Sequence, residues 1–250
     1  MSAETETFGH VQRTDGLSFG DGDIAVLVCS DTPRGLLAGI WNALAVNGGH
    51  LDRVRYIPDA AEGGASFDGL RGCVVLVRVA GMDAADSRGF GQAMSALGFL
   101  ARRLFASGDL SRAEEFRFYL SGGFKAAIPY LVGMAEAVRS VDDTCLRPLG
   151  KAGLMPASGP WPVSAYMLHE DAGPNAPAIR LPLRRLVAES VRKELTGWES
   201  GRRTGKPDWG LLEGYAYEVT GGAPGGETYE LTAFGTGLRA LFGLSREGLG

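Results

Sequence analysis

Two uninterrupted apolar runs constrain this chain more than any other feature: Ile24-Ala25-Val26-Leu27-Val28-Cys29, and Cys73-Val74-Val75-Leu76-Val77 leading into Arg78-Val79. A strand with one wet face alternates apolar and polar residues. A run that is apolar at nearly every position suits a strand covered on both faces, as in a parallel sheet between helices. The first run stops at Ser30-Asp31-Thr32-Pro33, where the hydroxyls and carboxylate can cap a helix and Pro33 fits its first turn. The helix predicted over about 33–46 places Leu36, Leu37, Ile40, Trp41 and Leu44 on one apolar stripe.

Continuing along the chain, Leu51 to Ile57 alternates like an edge or half-exposed strand, and residues 58–70 form a Gly-, Ala- and Asp-rich connection. Helical periodicity covers about 86–106, with Phe90, Met94, Leu97, Leu100, Ala101 and Leu104 on one face. A strand over 116–120 and a helix through Val138 follow. The order strand, helix, strand, strand, helix, strand, helix predicts an α/β fold with a doubly wound, mainly parallel, Rossmann-like sheet.

After Ser140 the texture changes. Thr144 to Leu149 reads as a further strand, 150–162 as Gly/Pro-rich loop, and 163–168 with 178–181 as a hairpin. A basic helix is predicted over 183–195 and a polar loop over 197–208. Two short strands, 215–220 and 228–231, flank GGAPGGE, and a capped helix spans 232–241. That hairpin and helix resemble the wing and last helix of a winged helix-turn-helix module. The expected organisation is a lead-in over 1–22, a Rossmann-like ligand-binding domain over 23–182 and a winged-helix-like α+β tail over 183–250.

Composition matters mainly for what it removes. The formal net charge of -4 gives no support for non-specific nucleic-acid binding. Three cysteines, Cys29, Cys73 and Cys145, suit neither a disulfide framework nor paired zinc spacing, and read as reduced thiols. No apolar segment approaches the roughly 20 residues that span a bilayer. The opening MSAETETFGHVQRTDG is unlike a signal peptide, so a cytoplasmic protein with no membrane contact is expected.

The chemistry concentrates in Phe116 to Leu131, FRFYLSGGFKAAIPYL. Paired glycines allow a ligand close to the main chain. A lysine at a helix mouth adds positive charge where free N–H groups already favour anions. Pro129 is harmless only near a helix start, which sets that start at Lys125 to Ala127. Neither G-x-G-x-x-G nor G-x-x-x-x-G-K-[ST] occurs, which disfavours the dinucleotide and P-loop readings. The polar loops after the first and fourth strands, Ser30-Asp31-Thr32 and Ser121-Gly122-Gly123-Phe124-Lys125, are the candidate anion site.

DIAVLVCSDTPRG, GFGQAMSALGFLARRL and FRFYLSGGFKAAIPYL together resemble the CRISPR-associated Rossmann-fold (CARF) family, in the branch carrying N-x-T-G-G-F-K-A after its fourth strand. The resemblance covers about 23–182; Tyr119 and Ser121 stand where that pattern has Asn and Thr. It implies a homodimer that binds cyclic oligoadenylate, cyclic tetra- or hexa-adenylate, the messenger of type III CRISPR defence. The implied ligand contacts are Ser30, Asp31, Thr32, Ser121, Gly122, Gly123, Phe124 and Lys125. Ring nucleases of the family cleave the messenger without a metal or other cofactor, by attack of a ribose 2′-OH. Lys125 and Ser30 are the implied catalytic residues. Other members only sense the ligand, through a DNA-binding tail or as part of a longer effector.

Overall fold

β3 (Cys73–Val79) is the strand on which the first half is built, with every residue buried except Arg78. The computed structural model describes residues 8–9, 11, 19–60, 67–82, 87–107, 113–120, 127–146, 161–168, 178–198, 200–207 and 210–244. β1 (Ile24–Ser30) and β2 (Val54–Ile57) lie on either side of β3 and parallel to it. The apolar run of β3 thus has the predicted central place, while among the described residues β1 pairs with β3 alone.

Helices cover both faces of this sheet. On one, α1 (Pro33–Val46) approaches through its small residues. Ala43 is buried, and a Cβ on Gly39 would stand only 2.7 Å from Leu76 Cδ1 and 3.1 Å from Cys29 Cβ. The predicted apolar stripe is therefore partly turned outward: Leu37 is 56% and Trp41 66% exposed. On the other face, Val75, Val77 and Val79 share a core with Ala93, Met94 and Leu97 of α2 (Ser87–Ala106).

β4 (Phe116–Tyr119) and β5 (Val163–Met167) pair in parallel, and β6 (Ile179–Leu181) returns antiparallel to β5 as the expected hairpin. Among the described residues these form a second three-stranded sheet, so the fold is mixed α/β with its first sheet wholly parallel. The helix after β4, α3 (Ile128–Ser140), begins at Ile128 with Pro129 in its first turn. The strand expected from Thr144 is instead a helical turn, α4 (Asp143–Leu146). Asp142 starts it, its carbonyl and carboxylate both accepting from Cys145 N at 3.0 and 3.3 Å.

The basic helix predicted over 183–195 is shorter, α5 (Ala188–Leu195). The segment before it is tied to α3 instead. Arg184 N and its guanidinium donate to the Glu136 carboxylate, Leu186 N donates to Ser140 Oγ at 2.8 Å, and Arg139 donates to Leu183 O at 2.6 Å. β7 (Arg202–Thr204) forms inside the predicted polar loop. It pairs with β9 (Thr228–Leu231), which also pairs with β8 (Tyr217–Gly221), all antiparallel. The described residues between β7 and β8 form turns.

Thr232 caps α6 (Ala233–Leu241) as predicted, accepting from Gly235 N at 3.0 Å. α6 crosses α2 at backbone range: a Cβ on Gly98 would overlap Gly237, and one on Gly237 would reach 3.2 Å from Gly98 Cα. Arg102, 2% exposed, extends from α2 to donate to Ala240 O at 2.6 Å. One buried cluster consequently runs from Ile57 to Phe242, drawing on both sides of the expected boundary at 182/183. The three cysteines are buried and unbridged.

Candidate functional site

In an open α/β sheet ligands sit beyond the carboxyl ends of the strands, so the site is built from where β1, β3 and β4 end. β1 delivers Ser30 opposite Val79 of β3. Thr32 then takes extended backbone (φ -76°, ψ 147°) and caps α1 by accepting from Gly35 N at 3.0 Å. Ser30 Oγ lies 2.9 Å from Thr32 Oγ1, close enough for a hydrogen bond in either direction. A Cβ on Gly35 would overlap Ser30 Oγ, so the hydroxyl pair sits directly against the first turn of α1.

Asp31 is exposed, and its carboxylate accepts from Gly81 N at 3.4 Å, linking the loops after β1 and β3. Gly81 (φ +79°) turns the chain there, and its Cα lies so near Gly89 that a side chain would overlap that carbonyl. The turn brings the start of α2 to the same edge as the start of α1. The hydroxyl pair thus lies at the capped start of α1, beyond the β1–β3 strand pair, and Gly89 near the start of α2 stands against the adjoining Gly81 turn.

Ser30, Asp31 and Thr32 are thus brought together. Ser121, Gly122, Gly123, Phe124 and Lys125 lie outside the described residues. The two ends of that loop are fixed: Leu120 is buried and its N–H donates to Tyr166 O at 2.9 Å, and Ala127 is buried.

The carboxyl end of the second sheet holds a group that residue spacing did not reveal. Tyr119 and Tyr166 are register partners in β4 and β5, and their rings stack at 5.9 Å with a 20° interplanar angle. Phe8 meets Tyr119 edge-on at 5.3 Å. Two register positions earlier, Arg117 donates to Glu115, whose other oxygen accepts from Ser164 Oγ at 2.9 Å; Arg180 of β6 donates to Ser164 Oγ at 3.1 Å. Burial pushes the Glu115 carboxyl up, but hydrogen bonds from Arg117 and Ser164 and the charges of Arg117 and Arg180 outweigh it and hold the group below its ordinary value. Burial raises the Tyr119 phenol despite the opposing Arg117 charge, so the ring is neutral at physiological pH. The alternation in FRFY was the available signal: Phe116 and Phe118 pack against the buried core, and Arg117 and Tyr119 alternate with them.

A separate open groove is lined by Arg139, Arg180, Val163 and the 181–183 segment. It lies at the amino end of β5, away from the strand ends that hold ligands in such folds. Among the described residues, no group of three or more His, Cys, Asp or Glu is placed to hold a metal ion, and no helix is long and apolar enough to cross a membrane. Comparison with protein-family models, with curated proteins and with solved structures finds no match to this chain.

Proposed function

We propose that this chain binds cyclic oligoadenylate and opens the ring by metal-independent transesterification. The observation that carries the reading is the carboxyl edge of the β1–β3 pair. There the Ser30–Thr32 hydroxyls, 2.9 Å apart, lie against the first turn of α1 beside the loop after β3, and a helix start is a place that can receive a phosphate. To this edge the resemblance to the CARF family adds the loop Ser121-Gly122-Gly123-Phe124-Lys125 and a homodimeric, cytoplasmic setting.

In the reaction a ribose 2′-oxygen attacks the adjacent phosphorus in line as the bond to the 5′-oxygen breaks. The proton lost from the 2′-OH is balanced by one gained at the 5′-oxygen, leaving a 2′,3′-cyclic phosphate end. Lys125 offsets charge growing on the phosphoryl oxygens, and Ser30 orients the attacking ribose. Asp31, Thr32 and the glycine-loop N–H groups hold the ring. Mass spectrometry of cyclic tetra- and hexa-adenylate incubated with the protein and a chelator tests this. Linear fragments ending in cyclic phosphate are expected, falling at least about tenfold in rate with Lys125→Ala. Intact ring after prolonged incubation with stoichiometric protein overturns cleavage.

A second reading, a non-catalytic sensor, is favoured by the way α3, the helix after the glycine loop, is joined to the C-terminal part. Tyr130 and Tyr215 both pack on Phe234, at 5.7 and 4.7 Å, and the Glu136 carboxylate binds Arg184. Burial, with the Glu136 charge second, pushes the Tyr215 phenol up to about 12, so it stays neutral in this joint. A shift of α3 on ligand binding would be passed on through these contacts. Here the winged-helix-like tail is the output, and ligand-dependent retardation of DNA with uncleaved ring is the expected result. The test is demanding, because Arg202 and Lys206 face Glu230 and Glu213 at 3.6 Å each.

A further inference from the structure

The second sheet has two unlike faces. Phe116 and Phe118 pack on the buried core beside their register partners Val163 and Ala165, both buried. Successive strand residues point to opposite sides, so Arg117, Tyr119, Ser164 and Tyr166 share the other face, and Arg180, the register partner of Tyr166, joins them. Tyr119 and Tyr166 are the last register pair of β4 and β5, at the carboxyl ends of two parallel strands, where ligands sit in such folds. A relay of hydrogen bonds fixes Tyr119 in place. Ser164 donates to Glu115, Arg117 Nε donates to Glu115 at 2.8 Å, and the Arg117 guanidinium also donates to the Tyr119 phenol. With the hydroxyl so engaged, the ring is the part of Tyr119 that can take a further partner.

The chain supplies such a partner from the lead-in. Phe8 meets the Tyr119 ring at 5.3 Å and 81°. Residues 8, 9 and 11 are helical and Val11 is 1% exposed, so this part of the lead-in is docked, while Phe8 stays half-buried. An edge-on pair of rings is a weaker contact than a nucleobase laid on an aromatic side chain. The surroundings favour a nucleotide further. Among the described residues of these strands, Arg117 and Arg180 set two positive charges on this face against the single carboxylate of Glu115. Phosphates are drawn to that excess charge, and the uncharged Phe8 is not.

We propose that the Tyr119–Tyr166 pair is a seat for a nucleobase, and that Phe8 is its resident occupant, displaced when a nucleotide ligand binds. The ligand named here rests on the cyclic oligoadenylate reading: the base is an adenine of the ring. The seat itself is this chain's own, since Tyr119 stands where the family pattern has Asn. The lead-in is thereby a built-in competitor that sets the affinity and is released on occupancy.

Calorimetry with the 2′-O-methyl analogue of cyclic tetraadenylate, which has no free 2′-OH and stays intact, reads both halves of the proposal. Tyr119→Leu is expected to weaken binding at least about tenfold, and Tyr119→Phe, which restores the ring, to recover most of that loss. Tyr166→Leu, on the other strand, is a second variant for the same loss. Phe8→Ala is expected to tighten binding about two- to tenfold. In the native chain, saturating analogue is expected to speed tryptic cleavage after Arg13 at least about threefold, because Phe8 is released. Adenosine 5′-monophosphate, followed by saturation-transfer NMR, separates this proposal from the one it rests on. Transfer to its adenine protons in Phe8→Ala that Tyr119→Leu abolishes, with no ring bound by any form, supports the seat and overturns the ring as ligand. A ring bound equally by the native chain, Tyr119→Leu and Tyr166→Leu overturns the seat and leaves ring binding standing. Unchanged or weaker binding in Phe8→Ala overturns the displacement, and absence of both ring binding and transfer overturns both proposals.

Discussion

Gly35 shows how little slack the candidate site has. A methyl group there would overlap the Ser30 hydroxyl and come 3.0 Å from Thr32 Oγ1, so Gly35→Ala must displace the hydroxyl pair or lift the first turn of α1. We expect a loss of about 1–3 kcal/mol in urea denaturation. Ser30→Ala removes the overlapping atom, so the double variant should recover part of that loss, a non-additivity that a double-mutant cycle measures. Thr32→Ala, which deletes the cap that accepts from Gly35 N, should cost about 1 kcal/mol in the native chain. Glu115 offers a pH-dependent counterpart. Its carboxyl is held below its ordinary value in the folded state, so it stabilises the protein above the unfolded carboxylate pKa, and that contribution is lost as pH falls through the folded one. The urea midpoint of the native chain should therefore exceed that of Glu115→Gln at neutral pH, and the gap should close in acid.

At the scale of elements, the crossing of α2 and α6 carries the sharpest expectation. A Cβ on Gly98 meets the Gly237 backbone, which has no rotamer to escape by, whereas one on Gly237 is only tight at 3.2 Å. Gly98→Ala should destabilise by about 2–4 kcal/mol and Gly237→Ala by about 1, compared by urea denaturation. The same scale separates what residue patterns reveal from what they do not. β1, β3, α1, α2, β5 and α6 were legible because burial on fixed faces writes a period into the chain and caps mark the ends. β7 was not, because Arg202-Arg203-Thr204 has no apolar alternation and owes its form to pairing with β9. The start of α5 was misread because helical spacing over 183–187 is overridden by the Glu136 and Ser140 contacts from α3. The outward stripe of α1 was legible as a stripe but not in its direction, since periodicity cannot say which face a sheet will take. In the site, Ser30, Asp31 and Thr32 were readable from their place after a strand. The Tyr119–Tyr166 stack was not, because its partners are 47 residues apart and meet only through β4–β5 register.

For the whole molecule, a core drawn from Ile57 to Phe242 implies that the C-terminal helix is structural and not an appendage. Removing the chain from Thr232 onward would uncover the side of α2 around Gly98 and Arg102, against which α6 lies. We expect the shortened chain to bind the dye ANS and to lose a cooperative thermal transition, while the full chain melts in one step. Retention of a cooperative transition after truncation would show that the first part stands alone. The bond from Arg102 to Ala240 also has a consequence for synthesis. Its partners are 138 residues apart, so on a ribosome adding about 5–20 residues per second α2 waits on the order of ten to thirty seconds for α6. During that interval the apolar face of α2 is open to chaperones, and slowing translation between the two helices should lengthen its occupancy by them.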